Sequence, residues 1–306
     1  VIKGLKSLVS AAFVASAMLG AVAAQGLPAA VVSDPPQDAG HPAGMIPFAL
    51  PTHGVKINAA LHTAAGVGPH PVVVLFHGFP GSEQNLDIAR AIQRAGWDVL
   101  TLHYHGSWGS PGDYSFTHCL EDGAAALDWL RNPATDQQYG IDPDRIVVAG
   151  HSQGGHIAGW LAGHDSHLIG AVLISPGRSF GNLPDNVSRA DIVARMEANL
   201  QDAQGMRTVG AATAEALADE LIRNNHNWDL AQYAPVMAKR PLLMTTADDG
   251  GAEANDRVAD AVRAQAGAKV TLIHFNTDHG YNDQRIALTS AVVTWLNTLP
   301  ENPHGR

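Results

Sequence analysis

Cysteine is nearly missing from this chain: Cys119 is the only one in 306 residues, so no intrachain disulfide can form in any compartment. Positive charge is also scarce. Lys and Arg number 19 against 29 Asp and Glu, a formal net charge of -10. The basic residues are dispersed, which argues against a nucleic-acid partner or an anionic-membrane partner; acidity itself argues only for solubility. Beyond residue 24 no segment is apolar enough to cross a bilayer. Internal repeats and low-complexity stretches are absent outside the two termini.

Residues 1 to 24 are the exception to this polarity. Lys3 and Lys6 precede an apolar run from Leu8 to Ala24 that ends in small residues, the pattern of a secretory signal peptide cleaved near Ala23 or Ala24. A membrane anchor is the other reading, although the alanine-rich run is barely long enough to span. The expected location is therefore secreted or periplasmic, with no stable membrane association once the signal is cleaved. Residues 25 to 45, rich in Pro, Ala and Gly, read as a mobile lead into the domain, and 301 to 306 as a tail.

Between these ends the chain alternates. Residues 46 to 63 alternate apolar and polar positions around Thr52-His53-Gly54, as an antiparallel hairpin at a sheet edge should. Buried strands followed by amphipathic helices come next. The strands are Pro71 to Phe76, Asp98 to His103, Arg145 to Ala149, Leu168 to Ile174, Pro241 to Thr246 and Val270 to Phe275. Their helices are Gln84 to Ala95, Thr117 to Leu130, Gln153 to Gly163, Glu253 to Gln265 and Asp283 to Leu299. The expected fold is one α/β domain over 46 to 300, its mostly parallel sheet covered by helices on both faces, with ligands at the carboxyl ends of the strands. From about 176 to 240 the rhythm breaks. Helical spacing at 190 to 200 and 213 to 224, with no strand, reads as a helical cap over that edge or as a surface excursion remote from it.

The chemistry concentrates at Val147-Val148-Ala149-Gly150-His151-Ser152-Gln153-Gly154-Gly155, where an apolar strand runs through G-x-S-x-G into a helix. This is the form of a nucleophile elbow. A serine hydroxyl is a poor nucleophile and must stand on a strained, exposed turn where a histidine can take its proton. His279 follows the last strand in a loop with a glycine beside it, and is the expected base. His274 lies within the strand and reads as a packed or hydrogen-bonded core residue. The carboxylate should close the preceding strand, where Asp249 is favoured, Asp248 is the alternate, and the one not used caps the loop or next helix. Asp278, adjacent to the histidine, is a third candidate. In Phe76-His77-Gly78-Phe79-Pro80-Gly81 the Phe79 amide, with that of Gln153, should form the oxyanion hole, because Pro80 cannot donate. His77 reads as a brace for that loop. Tyr104 and Trp108 are expected to line a substrate pocket. The pairs His103/His105 and His164/His167 lack the spacing of a zinc motif, so no metal and no cofactor are expected.

The segments HGFPGSEQNLDIARAI, HYHGSWGSPGDYSF, DPDRIVVAGHSQGG and DHGYNDQR resemble the α/β-hydrolase superfamily, particularly its serine esterase and prolyl-oligopeptidase-like branches, over roughly residues 46 to 298. The resemblance implies that fold, a Ser-Asp-His order along the chain and acyl transfer. Asp248-Asp249-Gly250-Gly251 departs from it by lacking the proline that often follows the acid. An esterase acting on a small-molecule ester is the expected function. A peptidase or amidase is the alternative, less favoured because the chain has no room for the propeller that often precedes such enzymes. A non-catalytic binding protein would have lost one of the three groups.

Overall fold

In the computed structural model, which describes residues 26–177, 180–184, 186–205 and 208–301 (backbone only for 202–205), the apolar runs form one eight-stranded sheet. Its strands are β1 (Gly44–Thr52), β2 (Val55–Thr63), β3 (His70–Phe76), β4 (Asp98–Leu102), β5 (Ile141–His151), β6 (Gly170–Ile174), β7 (Pro241–Ala247) and β8 (Lys269–Phe275), in the order β1-β2-β4-β3-β5-β6-β7-β8. β1 and β2 form the antiparallel hairpin at one edge, and β2 also pairs antiparallel with β4. From β4 to β8 every pairing is parallel. All those strands therefore deliver their carboxyl ends, and the loops that follow, to one edge.

The two-residue period sorts the core. Val72, Val74 and Phe76 of β3 join one apolar cluster, and Val73 and Leu75 join the other. The first cluster is completed by α3 (Phe116–Leu130), α5 (Gln153–His164) and α9 (Ala252–Arg263), the second by α2 (Leu86–Arg94) and α10 (Arg285–Leu296). Both sheet faces are thus covered. β5 starts earlier than expected, because Ile141 pairs with His70 ahead of a register shift and Asp142 Oδ1 accepts the Asp144 amide at 3.0 Å, turning the chain within the strand. The helix α4 (Pro133–Tyr139) was not expected. It is capped by Asn132, whose side chain accepts the Ala134 amide, and ended by Gly140 at φ 67.

The stretch read as a mobile lead is partly structured. Ala29–Val32 (α1) make one helical turn against α2 and α10, and Arg94 Nε donates to Ala30 O at 2.6 Å. Residues 1–24, the expected signal segment, and 302–306 of the tail lie outside the described residues. Among the described residues no helix is long and apolar enough to cross a membrane.

The excursion between β6 and β7 is helical: α6 (Arg189–Gly205), α7 (Ala214–Arg223), a 3-10 turn (Leu230–Tyr233) and α8 (Ala234–Met237). Ile192, Met196, Leu217, Leu221 and Trp228 belong to the same apolar cluster as α3 and α5. Backbone between α6 and α7 runs along the loop after β4, with Trp108 N donating to Thr208 O at 2.8 Å and Gly210 N to Gly106 O at 2.7 Å. The tie on the other side is Glu220. This buried α7 carboxylate accepts the Phe116 and Thr117 amides at 2.8 and 2.7 Å and the Thr117 hydroxyl, which places a negative charge on the amino end of α3. Replacing Glu220 with Ala would strand the buried Phe116 amide and the partly buried Thr117 amide and lower unfolding stability by about 1–3 kcal/mol. The denaturation midpoint followed by tryptophan fluorescence measures this, and an unchanged midpoint would mean that the insertion is not anchored there.

Candidate active site

Ser152 lies between β5 and α5 with φ 56 and ψ -122, a conformation an L residue holds only under strain. Its amide donates to Ile174 O at 2.9 Å, and its carbonyl accepts the His156 and Gly177 amides at 3.1 and 3.0 Å. Bare backbone on both sides makes the turn possible: a Cβ on Gly150 would collide with Gly154 O, and one on Gly154 with Phe76 O. Gly78 crosses directly above, so near that a Cβ there would stand 3.1 Å from Ser152 Cβ.

His279 lies in the loop after β8, its side chain 44% exposed, with Nδ1 2.6 Å from Asp249 Oδ2. A second acceptor contact, Gly251 N to Asp249 Oδ1 at 2.7 Å, fixes the carboxylate. Burial pushes the Asp249 carboxyl up, but the hydrogen bonds from the His279 ring and the Gly251 amide outweigh it and hold it below the usual range. Asp249 is therefore ionised at neutral pH and holds the imidazole by Nδ1, the arrangement a general base would need. Among the described residues no hydrogen bond joins Ser152 Oγ to His279. The ring is brought alongside the elbow by His151, whose Nε2 donates to His279 O at 2.7 Å and whose ring centroid is 4.7 Å from that of His279. Burial pulls His151 down to about 4, so it stays neutral and keeps the single N–H this contact needs.

Asp248 faces elsewhere. Its side chain is 63% exposed and pairs with His274 Nε2 at 3.1 Å, so it caps neither the loop nor the helix. His274 is hydrogen-bonded but not a core residue, because β8 is an edge strand and the ring sits on its open face, with Nδ1 2.9 Å from Thr246 Oγ1. Asp278 accepts the Asn282 amide and side chain, at 3.0 and 2.7 Å.

Over Ser152 lies the loop after β3. Among the described residues the Phe79 and Gln153 amides have no protein acceptor. The brace expected of His77 is real: it is buried, its Nδ1 is 2.7 Å from Gly78 O, and burial pulls its pKa down to about 4. Tyr104 is a correction. Its side chain is fully buried and its hydroxyl donates to His77 O at 2.8 Å, so it supports the loop from within and lines no pocket. Trp108 is half-buried, and its indole N–H donates to Pro80 O at 2.9 Å, which ties the same loop from outside. The apolar wall beside Gln153 comes instead from Phe116, Phe180 and Trp228.

Several supports were invisible to local sequence reading. Tyr281, fully buried, bonds Ser175 Oγ and Thr245 Oγ1 at 2.8 and 2.9 Å and so fastens the His279 loop to the ends of β6 and β7. Arg285 donates to Gly280 O at 3.1 Å and to Asp87 at 2.8 Å, joining that loop to α2. The histidine pairs have structural partners: His103 Nδ1 is 3.4 Å from His77 Nε2, His105 Nδ1 2.6 Å from Asp122 Oδ1, and His164 Nδ1 2.7 Å from Trp160 O, while His167 lies 3.6 Å from Asp165. Among the described residues no three His, Cys, Asp or Glu side chains converge as metal ligands would.

Solved structures share this architecture at low identity. An esterase from Pyrobaculum calidifontis is 21% identical, with 84% of this chain and 85% of that one covered and a TM-score of 0.57. Est1E from Butyrivibrio proteoclasticus, solved with ferulic acid bound, is 18% identical over 82% of this chain and 98% of its own, with a TM-score of 0.63. Fungal esterases from Rhizomucor miehei give 17% identity, 98% and 92% coverage and a TM-score of 0.62. At such identity these show the fold. The family model described as alpha/beta hydrolase fold matches residues 88–282, spanning the elbow, the acid and the histidine, and the chain belongs to that family.

Proposed function

We propose that the protein is a serine carboxylesterase. The observation that carries this reading is the juxtaposition of Ser152, strained and half-buried on its elbow, with the 2.6 Å His279–Asp249 pair and two amides that lack acceptors. The esterases among its structural relatives support it.

In this mechanism His279 Nε2 takes the Ser152 proton as Oγ bonds to the ester carbonyl carbon, and the carbonyl oxygen, now an oxyanion, accepts from Phe79 and Gln153 N–H. Collapse breaks the bond to the alcohol oxygen, which receives the proton from His279. Water, deprotonated by the same imidazole, then attacks the acyl-serine and releases the acid. Asp249 stabilises the imidazolium in both halves without taking its proton. No step requires a cofactor. Neutral walls of Phe116, Phe180 and Trp228 suit a small uncharged acyl ester. Export from the cytoplasm is part of the proposal and rests on the sequence of residues 1 to 24 alone.

Hydrolysis of p-nitrophenyl esters from short to long acyl chains, by the mature protein and by Ser152→Ala, tests the reading. Turnover that disappears in the variant is expected, and equal turnover in both proteins would sink the assignment of Ser152. Asp249→Asn should lower kcat by about 10³–10⁴ through loss of the correct histidine tautomer. Asp248→Asn, which removes only an exposed contact to His274, should leave kcat unchanged; the reverse order would move the acid to Asp248.

A further inference from the structure

Two of the most deeply buried polar side chains next to the elbow have nitrogens without partners. His156, on the first turn of α5, is 2% exposed, and its Nε2 makes no hydrogen bond. Gln153 is likewise 2% exposed; Tyr114 O–H donates to its Oε1 at 2.7 Å, which fixes the amide and leaves Nε2 without a bond. The buried thiol of Cys119 lies beside this amide, but sulfur is a weak acceptor. Leaving such groups unpaired costs free energy, and in a native protein that calls for an explanation.

Both side chains line one small cavity, with Phe116, Leu120, Phe180 and Trp228 as its apolar wall. As it stands the space does not admit a water, and the Phe180 ring is part of its lining. That ring stacks on His156 at 4.7 Å, meets Phe116 edge-on at 4.9 Å and 86°, and lies 6.2 Å from Trp228. These are the distances and angles aromatic rings prefer, so the walls are already shaped around a six-membered ring. The cavity also adjoins the reacting centre, since Gln153 contributes a side chain to it and its backbone amide to the oxyanion site.

The geometry points to an acyl-binding subsite that takes an aryl acyl group bearing a hydroxyl, the ring entering where Phe180 now lies and the hydroxyl meeting His156 and Gln153. This rests on the esterase reading above and adds the substrate class. Burial pulls His156 down to about 3, so its ring is neutral; with its proton on Nδ1 the unpartnered Nε2 offers a lone pair, while Gln153 Nε2 can only donate. A hydroxyl donates to the first and accepts from the second. A carboxylate could accept from Gln153 but would set its charge against the imidazole lone pair, and an ammonium could not accept from the amide at all.

The test compares kcat/KM for the methyl esters of phenylacetic and phenylpropanoic acids with their para-hydroxy counterparts, methyl acetate serving as reference. The saturated linker keeps the hydroxyl from altering carbonyl reactivity, so the ratio within each pair reads recognition. The wild-type protein should favour the hydroxylated member of at least one pair by about tenfold or more. His156→Phe, which keeps a stacking ring and removes the nitrogens, should bring that ratio close to one. Phe180→Ala should raise kcat/KM for the aryl esters relative to acetate, and remains informative if His156→Phe does not fold. Turnover of acetate with ratios at or below one in the wild type, or a fall in aryl preference in Phe180→Ala, would overturn the subsite and leave the esterase reading standing. No turnover of any ester would overturn both.

Discussion

The close approach of the end of β3 to the first turn of α5 is the constraint on which the site depends. Phe76 O lies where any side chain on Gly154 would have to be, and Gly154 O lies where one on Gly150 would be. That contact leaves the chain between β5 and α5 room for only a single residue at positive φ, and Ser152 is that residue. The same contact brings the loop after β3 over the serine, because the strand that supplies the backbone oxygen continues directly into Gly78 and Phe79. Strain at Ser152 and the placing of Gly78 and Phe79 over it thus have one cause, and each persists only because the surrounding sheet over-determines it.

His279 and Asp249 are brought in by a different device. β7 and β8 are neighbouring parallel strands, so Asp249 and His279 emerge from adjacent carboxyl ends and their pairing follows from the order of the sheet. The loops themselves have freedom that must be removed. Tyr281 fastens the histidine loop to β6 and β7, Arg285 to α2, and His151 to the elbow. His151 occupies the variable position of G-x-S-x-G, so one tripeptide both carries Ser152 and holds the backbone of His279. Its neutrality matters to the proposed mechanism: a charged ring there would repel an imidazolium at His279 4.7 Å away.

What could be read from the sequence divides along the same line. Element type follows from the period of apolar positions, which is local, and the strands and principal helices lie close to where that period puts them. The elbow is also local, since glycines at fixed offsets from a serine between strand and helix have few other uses. That only one of Asp248 and Asp249 can face His279 is local as well, because successive residues at a strand end face opposite ways. Tyr104 shows where locality ends. An aromatic residue after a strand at the carboxyl edge looks like a pocket wall, and only the depth of the loop beneath β3 turns its hydroxyl inward to His77. His151, Tyr281 and Glu220 act through partners 128, 106 and about a hundred residues away, and no pattern along the chain announces such pairs.

The proposed chemistry and the proposed selectivity consequently occupy different parts of the molecule. The proposed triad and oxyanion amides stand on strand ends and tight turns whose backbone cannot shift without breaking the sheet. The apolar wall beside Gln153 is assembled from α3, from Phe180 just after β6 and from Trp228 within the helical insertion, with Glu220 joining the insertion to the start of α3. A wall built from an insertion can change its side chains with little cost to the sheet, because the insertion packs on one face only and meets the loop after β4 through backbone hydrogen bonds that do not depend on residue type. His156 is the exception that links the two. It belongs to α5, one turn from the nucleophile, yet its ring faces the insertion, so substitutions in the wall are felt on the helix that carries Ser152, and the pocket's shape and the elbow's rigidity are constrained together.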